Sequence, residues 1–166
     1  MIACIRAGDP SPSAASVAET AGVGLRTVFR QFEDMDALYS AIAERTEFEV
    51  EPILAAPFVA KGGRDRLAEM LSRRAQVYES IMPLRNAAAL RRHQSDVLAA
   101  GQARFLARER AGLKAVLTDR LLSDTERFEG LALATGFEAW RSLRQDQELD
   151  PDTAERIICT IVDALL

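Results

Sequence analysis

A single histidine, His93, and two distant cysteines leave this sequence poor in the side chains that most often build metal centres and nucleophilic active sites. Cys4 and Cys159 stand near opposite ends with no CxxC spacing, so neither a zinc site nor a redox pair is expected, and both read as buried, reduced thiols. There is no glycine-rich phosphate loop and no HExxH motif. Carboxylates alone can do chemistry, but those present, including Glu109 between Arg108 and Arg110, read as helix caps and solvated faces. No catalytic residue, bound metal or cofactor is expected, and the chain does not read as an enzyme.

Long apolar runs are lacking too. Nothing approaches the roughly 18 residues of a membrane span, and the opening MIACIRAGDPSPS has neither the charged start nor the long apolar centre of a signal peptide. No membrane partner and a cytoplasmic address are therefore expected. Positive charge is in deficit: 21 basic residues face 25 acidic ones, and a net charge of -4 argues against indiscriminate polyanion binding by the whole molecule. Contact with nucleic acid would have to come from arginines concentrated on one small face. What the sequence does have is 48% hydrophobic and 28% charged residues over 166 positions, the balance of a globular chain with room for a small module and a larger helical domain.

Met1 to Ala7 carries apolar residues for two turns before Gly8, Asp9 and Pro10 stop it, which reads as the end of a helix whose beginning is missing. Ser13 can cap a helix from Ala14 to about Thr20 with Val17, Ala18 and Ala21 inward, and Gly22 ends it. After the turn, with Gly24 as N-cap, Val23, Val28 and Phe32 fall on one side of a second short helix, leaving Arg26, Thr27 and Arg30 on or near the other. Two short helices joined by a glycine-containing turn make a helix-turn-helix pattern.

Asp34 can cap a longer helix from Met35 to about Glu51, with Leu38 and Ile42 inward and Pro52 at its end; Pro57 and Lys61-Gly62-Gly63 then form a loop. Beyond Arg64 there is no strand signal. Leu67, Met70, Leu71, Tyr78 and Ile81 give a helical stripe ending near Pro83, followed by a short helix to Arg92. Ser95 caps a long helix through Leu98, Phe105, Leu113 and Leu121, and Asp124 caps another carrying Phe128, Leu131, Trp140 and Leu143, with Leu133 and Phe137 off its stripe. Asp150-Pro151 starts the last, which holds Ile157, Ile158, Ile161, Val162, Leu165 and Leu166. Apolar arcs this wide call for burial on two sides, and a second copy of the chain, docked through the last two helices, is the expected second surface.

At Ser16 to Leu38, SVAETAGVGLRTVFRQFEDMDAL resembles the DNA-binding domain of the TetR family of bacterial transcriptional regulators, whose pattern runs approximately xxIAxxAGVSxxTLYxHFxxKxxL. Ala18, Ala21-Gly22-Val23, Thr27, Phe32 and Leu38 stand where that family has its own residues, and Val17 and Val28 replace isoleucine and leucine. The resemblance covers about the first quarter of the chain. It implies an all-α fold, with an N-terminal helix-turn-helix three-helix module (1–47) followed by a helical ligand-binding and dimerisation domain (48–166). It also implies a homodimeric repressor that places two recognition helices in successive major grooves of operator DNA and is released by a small apolar or amphipathic effector.

Carried over residue by residue, Thr27 and Phe29 stand at positions that touch the DNA backbone, and Leu25, Arg26 and Arg30 on the face directed at the groove. Arginine can bind guanine bidentately or pair with phosphate, and an exposed leucine can touch a thymine methyl. The sequence departs from the family at three places. Phe29 lacks the usual tyrosine hydroxyl, Met35 replaces a phosphate-contacting lysine, and the first helix is short, without a preceding basic arm. Residues 1–47 hold four arginines (Arg6, Arg26, Arg30, Arg45) against seven acids (Asp9, Glu19, Glu33, Asp34, Asp36, Glu44, Glu47), a net charge of -3. Weak, strongly salt-dependent DNA binding is therefore expected. The alternative is a helical ligand-binding or interaction protein whose reader is decayed or incomplete. On the ligand side, Met70, Tyr78, Met82, His93, Phe105, Phe137 and Trp140 are the candidates for lining a cavity between helices.

Overall fold

A computed structural model of the chain describes residues 1–166 and is built of helices without a strand. In order these are α1 (Ile2–Arg6), α2 (Ala14–Ala21), α3 (Leu25–Gln31), α4 (Met35–Leu54), α5 (Gly63–Arg91), a 3-10 turn at Arg92–Gln94, and α6 (Asp96–Lys114). Then come α7 (Asp119–Ser123), α8 (Thr125–Ala134), α9 (Phe137–Arg141) running into a π-helical turn at Ser142–Asp146, and α10 (Pro151–Leu165). No helix is long and apolar enough to cross a membrane.

The helix starts follow the sequence closely because each rests on one local hydrogen bond. Ser13 Oγ accepts from the Ser16 amide at 3.1 Å, Asp34 Oδ1 from Ala37 at 2.8 Å and Ser95 Oγ from Leu98 at 3.3 Å. Asp124 and Asp150 do the same for Arg127 and Thr153, at 3.1 and 2.9 Å.

Helix ends depart from expectation in four places. Pro52 lies inside the last turn of α4, and Pro83 lies well inside α5, which runs unbroken to Arg91 instead of stopping. Around Pro83 the side chains of Ile81, Met82, Leu84 and Ala87 are all buried. Burial of such side chains, at about 1.5–3 kcal/mol for each large one, outweighs the roughly 3 kcal/mol that proline costs in a helix interior. Conversely, α6 ends at Lys114 rather than continuing to Leu121, which falls in the separate α7. The stretch expected as one helix from Asp124 is cut at Thr135-Gly136 into α8 and α9.

Two compact units are formed, Met1–Val50 with Ile81–Arg104, and Glu51–Ser80 with Phe105–Leu166. The first takes in all of residues 1–47 and adds a later stretch. Its core joins Cys4 and Ile5 of α1, Val17 of α2, and Leu38, Tyr39 and Ile42 of α4 to Leu84, Ala87 and Leu98, with Phe32 and Met35 half-buried against them. The Cys4 thiol lies 3.1 Å from Thr20 Oγ1, to which it donates; turned the other way, the same hydroxyl donates to the thiolate and holds the pKa below the ordinary thiol value. Ala21 and Val23, both expected inward, are exposed, one on each side of the left-handed turn at Gly22. In the second unit Leu67, Leu71, Val77, Leu113, Leu131, Trp140, Ile158 and Val162 are buried. Cys159 there is free and only half-buried, short of the full burial expected.

Candidate functional site

Two places concentrate the chemistry. The first is the α2–turn–α3 segment. Gly22 takes φ 66°, a conformation that costs an L side chain roughly 1–2 kcal/mol, and its amide bonds the carbonyl of Glu19 at 3.0 Å while Val23 N–H bonds Ala18 at 3.0 Å. This closes α2 and redirects the chain within three residues. α3 then buries Val28 inward and leaves Leu25 and Phe29, each 46% exposed, outward together with Arg26 and Arg30. Thr27 is half-buried between them. Neither Arg26 nor Arg30 has a hydrogen-bond or ion-pair partner within the chain, whereas Arg45 on the next helix is taken up by Glu49 at 2.8 Å. The N-cap Gly24 supplies no side-chain bond to the helix start.

The second is in the other unit, where several of the expected ligand-side residues meet. Tyr78 stacks edge-on to Phe137 with centroids 5.5 Å apart and lies 6.5 Å from Trp140, and Phe105 meets Phe137 at 6.1 Å. Met70 is buried in the same unit. Met82 and His93 belong to the first unit and do not join this cluster; Met82 is buried, and His93 is exposed on the 3-10 turn.

No family model, curated protein or solved structure matches the chain. Arg74, only 5% exposed, donates to the Thr135 carbonyl at 3.0 Å, to Thr135 Oγ1 at 2.9 Å and to the Glu109 carbonyl. Tyr78 OH donates its one proton to Glu109 Oε1, with the Thr135 carbonyl a longer contact at 3.2 Å, and Phe137 N–H donates to Glu109 Oε1 at 2.8 Å. Together these bonds hold the break between α8 and α9. Glu109 is thus an acceptor at the heart of this network, not the solvated residue that its arginine neighbours suggested. Arg74 could have been suspected from its place on the Leu71–Tyr78 stripe, where a charge has no outlet to water; Glu109 gave no comparable signal.

Beside this network opens a cleft of about 340 Å³, lined by Ser72, Arg73, Ala75, Gln76 and Glu79 of α5, Trp140 of α9, and Pro151 and Glu155 of α10. Of the aromatic candidates only Trp140 reaches it. A chamber just large enough for one water lies behind, bounded by Leu71, Arg74, Tyr78, Thr135, Trp140, Glu155 and Ile158. Glu79 is fixed from two sides: it accepts from Trp140 Nε1 at 2.8 Å and from Arg144 Nε and Nη2 at 2.8 and 3.0 Å. The Arg144 hydrogen bonds, helped by Trp140 and opposed by partial burial, hold its carboxyl below the ordinary glutamate range.

A lowered folded-state pKa means stability that is present above the unfolded value, near 4.3, and lost as pH falls through the folded value. Glu79→Gln is accordingly expected to cost about 1 kcal/mol at neutral pH, a value kept modest by the partial exposure of the pair. The gap should close toward pH 3 in urea titrations. A gap of the same size at both pH values would contradict the assignment.

Proposed function

We propose that the chain is a ligand-responsive, DNA-binding transcriptional regulator of the TetR type, a repressor acting as a homodimer. One observation carries the reading: α3 follows a tight left-handed turn and presents Arg26 and Arg30, unpartnered within the chain, beside exposed Leu25 and Phe29. Free guanidinium groups on a short exposed helix are what bidentate contacts to guanine or pairing with phosphate require. The motif from Ser16 to Leu38 adds the family resemblance, with Thr27 and Phe29 at the backbone-contacting positions and Phe29 unable to donate a hydroxyl. Exposed apolar residues support the dimer: Leu133 on α8 is 74% exposed and Ile161 on α10 is 43% exposed, both on helices with apolar residues on more than one face.

A second reading, a helical ligand-binding protein without an effective reader, draws on Met35. In place of a cation, this position offers a side chain that packs against the core, within a segment of net charge -3. Gel-shift titration with DNA from upstream of its own coding region, at low and moderate salt, separates the two. Weak binding that fades with salt supports the regulator; no shift at low salt supports the alternative. The dimer has its own test. Leu133→Glu is expected to convert a dimer at micromolar concentration into a monomer in sedimentation equilibrium, and an unchanged mass would place the contact elsewhere.

A further inference from the structure

The positive charge that the front of the chain lacks is brought to it from a distance. Residues 1–50 hold four arginines against eight acids, the seven named above and Glu49, a net charge of -4. Residues 81–104, which complete the same compact unit, hold four arginines (Arg85, Arg91, Arg92, Arg104) against one acid, Asp96, a net charge of +3 with His93 neutral. The folded unit therefore stands at -1, and the place where the added arginines lie becomes decisive for an electrostatic partner.

Arg85 is bonded to Gln102, and Arg104 lies further along α6. Arg91 and Arg92 end α5 and open the 3-10 turn. Arg91 crosses to α4: its Nη2 lies 3.5 Å from Asp36 Oδ1, and its guanidinium lies over the Tyr39 ring, 5.4 Å from the centroid. Asp36 stands in the first turn of α4, just after the capping Asp34, so this contact holds the Arg92–Gln94 turn against the corner where α3, with Arg30 in its last turn, passes into α4. Most acids nearby are already engaged. Asp36 meets Arg91, Asp34 accepts from the Ala37 amide and Asp9 from the Ser11 amide, while Asp96 sits in the first turn of α6, where the free amides of the helix start offset its charge. Glu33 is the exposed acid that remains. Arg92, half-buried, and His93, exposed, have no hydrogen-bond or ion-pair partner within the chain.

From this we propose that Arg92, with His93 beside it, is a phosphate-contacting position of the DNA reader: when α3 lies in the major groove, the Arg92–Gln94 turn meets the sugar-phosphate backbone at the α3–α4 corner. Such a contact fixes grip and register and reads no base. An arginine without an acid partner is suited to it, since the guanidinium pairs with phosphate through two parallel N–H donors. The inference rests on the regulator reading above and adds a binding element from outside residues 1–47.

Fluorescence anisotropy with the full chain, the upstream DNA fragment and a scrambled duplex tests this. Arg92→Ala is expected to weaken both duplexes alike, by about fivefold at ~100 mM salt, and to lower the slope of log affinity against log salt by about one per bound chain. Arg120→Ala, which removes an exposed arginine of α7 in the other unit, is expected to change neither. Gln94→Lys, a new charge on the same exposed turn, is expected to tighten both duplexes and steepen the slope. Unchanged affinity and slope in Arg92→Ala, an equal loss from Arg120→Ala, or a loss confined to the upstream fragment would overturn the proposal. Should Arg92→Ala melt early, Gln94→Lys decides, and binding that fails to tighten counts against the turn. Binding that falls with Arg26→Ala or Arg30→Ala but not with Arg92→Ala overturns this inference and leaves the regulator reading standing. No binding by the unaltered chain at low salt overturns both.

Discussion

Replacing Trp140 with alanine is expected to lower the unfolding free energy by about 3–5 kcal/mol, the range for emptying a fully packed aromatic site. The indole is 1% exposed, lies against Tyr78 and donates its Nε1–H to Glu79. Alanine therefore removes ring contacts and a hydrogen bond at once, and opens the cleft into the aromatic cluster behind it. Against a typical total of about 5–15 kcal/mol, the loss is large enough to threaten folding. Trp140→Phe separates the two contributions: most of the packing stays, Glu79 keeps Arg144, and the cost should fall to about 1–2 kcal/mol. Urea unfolding followed by far-ultraviolet circular dichroism measures both, since the variants have no tryptophan to follow. If alanine costs no more than phenylalanine, the indole is not the packed centre of this unit.

The second large effect concerns DNA. Arg26→Ala and Arg30→Ala are each expected to weaken binding to the promoter fragment by about tenfold to a hundredfold if the side chain reads a base edge, corresponding to 1–3 kcal/mol. If instead it pairs with phosphate, binding to promoter and scrambled DNA should weaken alike, and the slope of log affinity against log salt should fall by about one. Fluorescence anisotropy with both duplexes between about 50 and 200 mM salt distinguishes these outcomes. Both arginines are exposed and unpartnered, so their removal should leave the melting curve unchanged. Unaltered affinity in both variants would remove α3 as the reading element.

What the sequence made legible and what it hid divide along local and non-local physics. The N-caps at Ser13, Asp34, Ser95, Asp124 and Asp150 were readable because a cap depends on three or four consecutive residues. The exposed face of α3 was readable for the same reason, as helical spacing alone separates Val28 from Arg26 and Arg30. Pro83 misled, since proline's local penalty is overridden by burial of neighbours that only the folded chain supplies. The break at Thr135-Gly136 was hidden in turn, because its hydrogen bonds come from Arg74, Tyr78 and Glu109, far off in sequence. The cleft was missed almost entirely. Its walls are polar residues one turn apart on α5 and α10, which periodicity assigns to the solvent side, and only Trp140 stands out by type.

The span between Arg74 and Thr135, 61 residues, also sets a timetable. At a synthesis rate of about 5–20 residues per second, the stripe bearing Leu71, Arg74 and Tyr78 is made several seconds before Thr135, which supplies two of the three acceptors of Arg74. Until then the guanidinium lacks its Thr135 partners and keeps its water. It interrupts an otherwise continuous apolar strip on the growing chain, so the residue that later locks the interior first keeps that strip from sticking to its neighbours. A leucine at position 74 would remove this protection at the moment when it matters most.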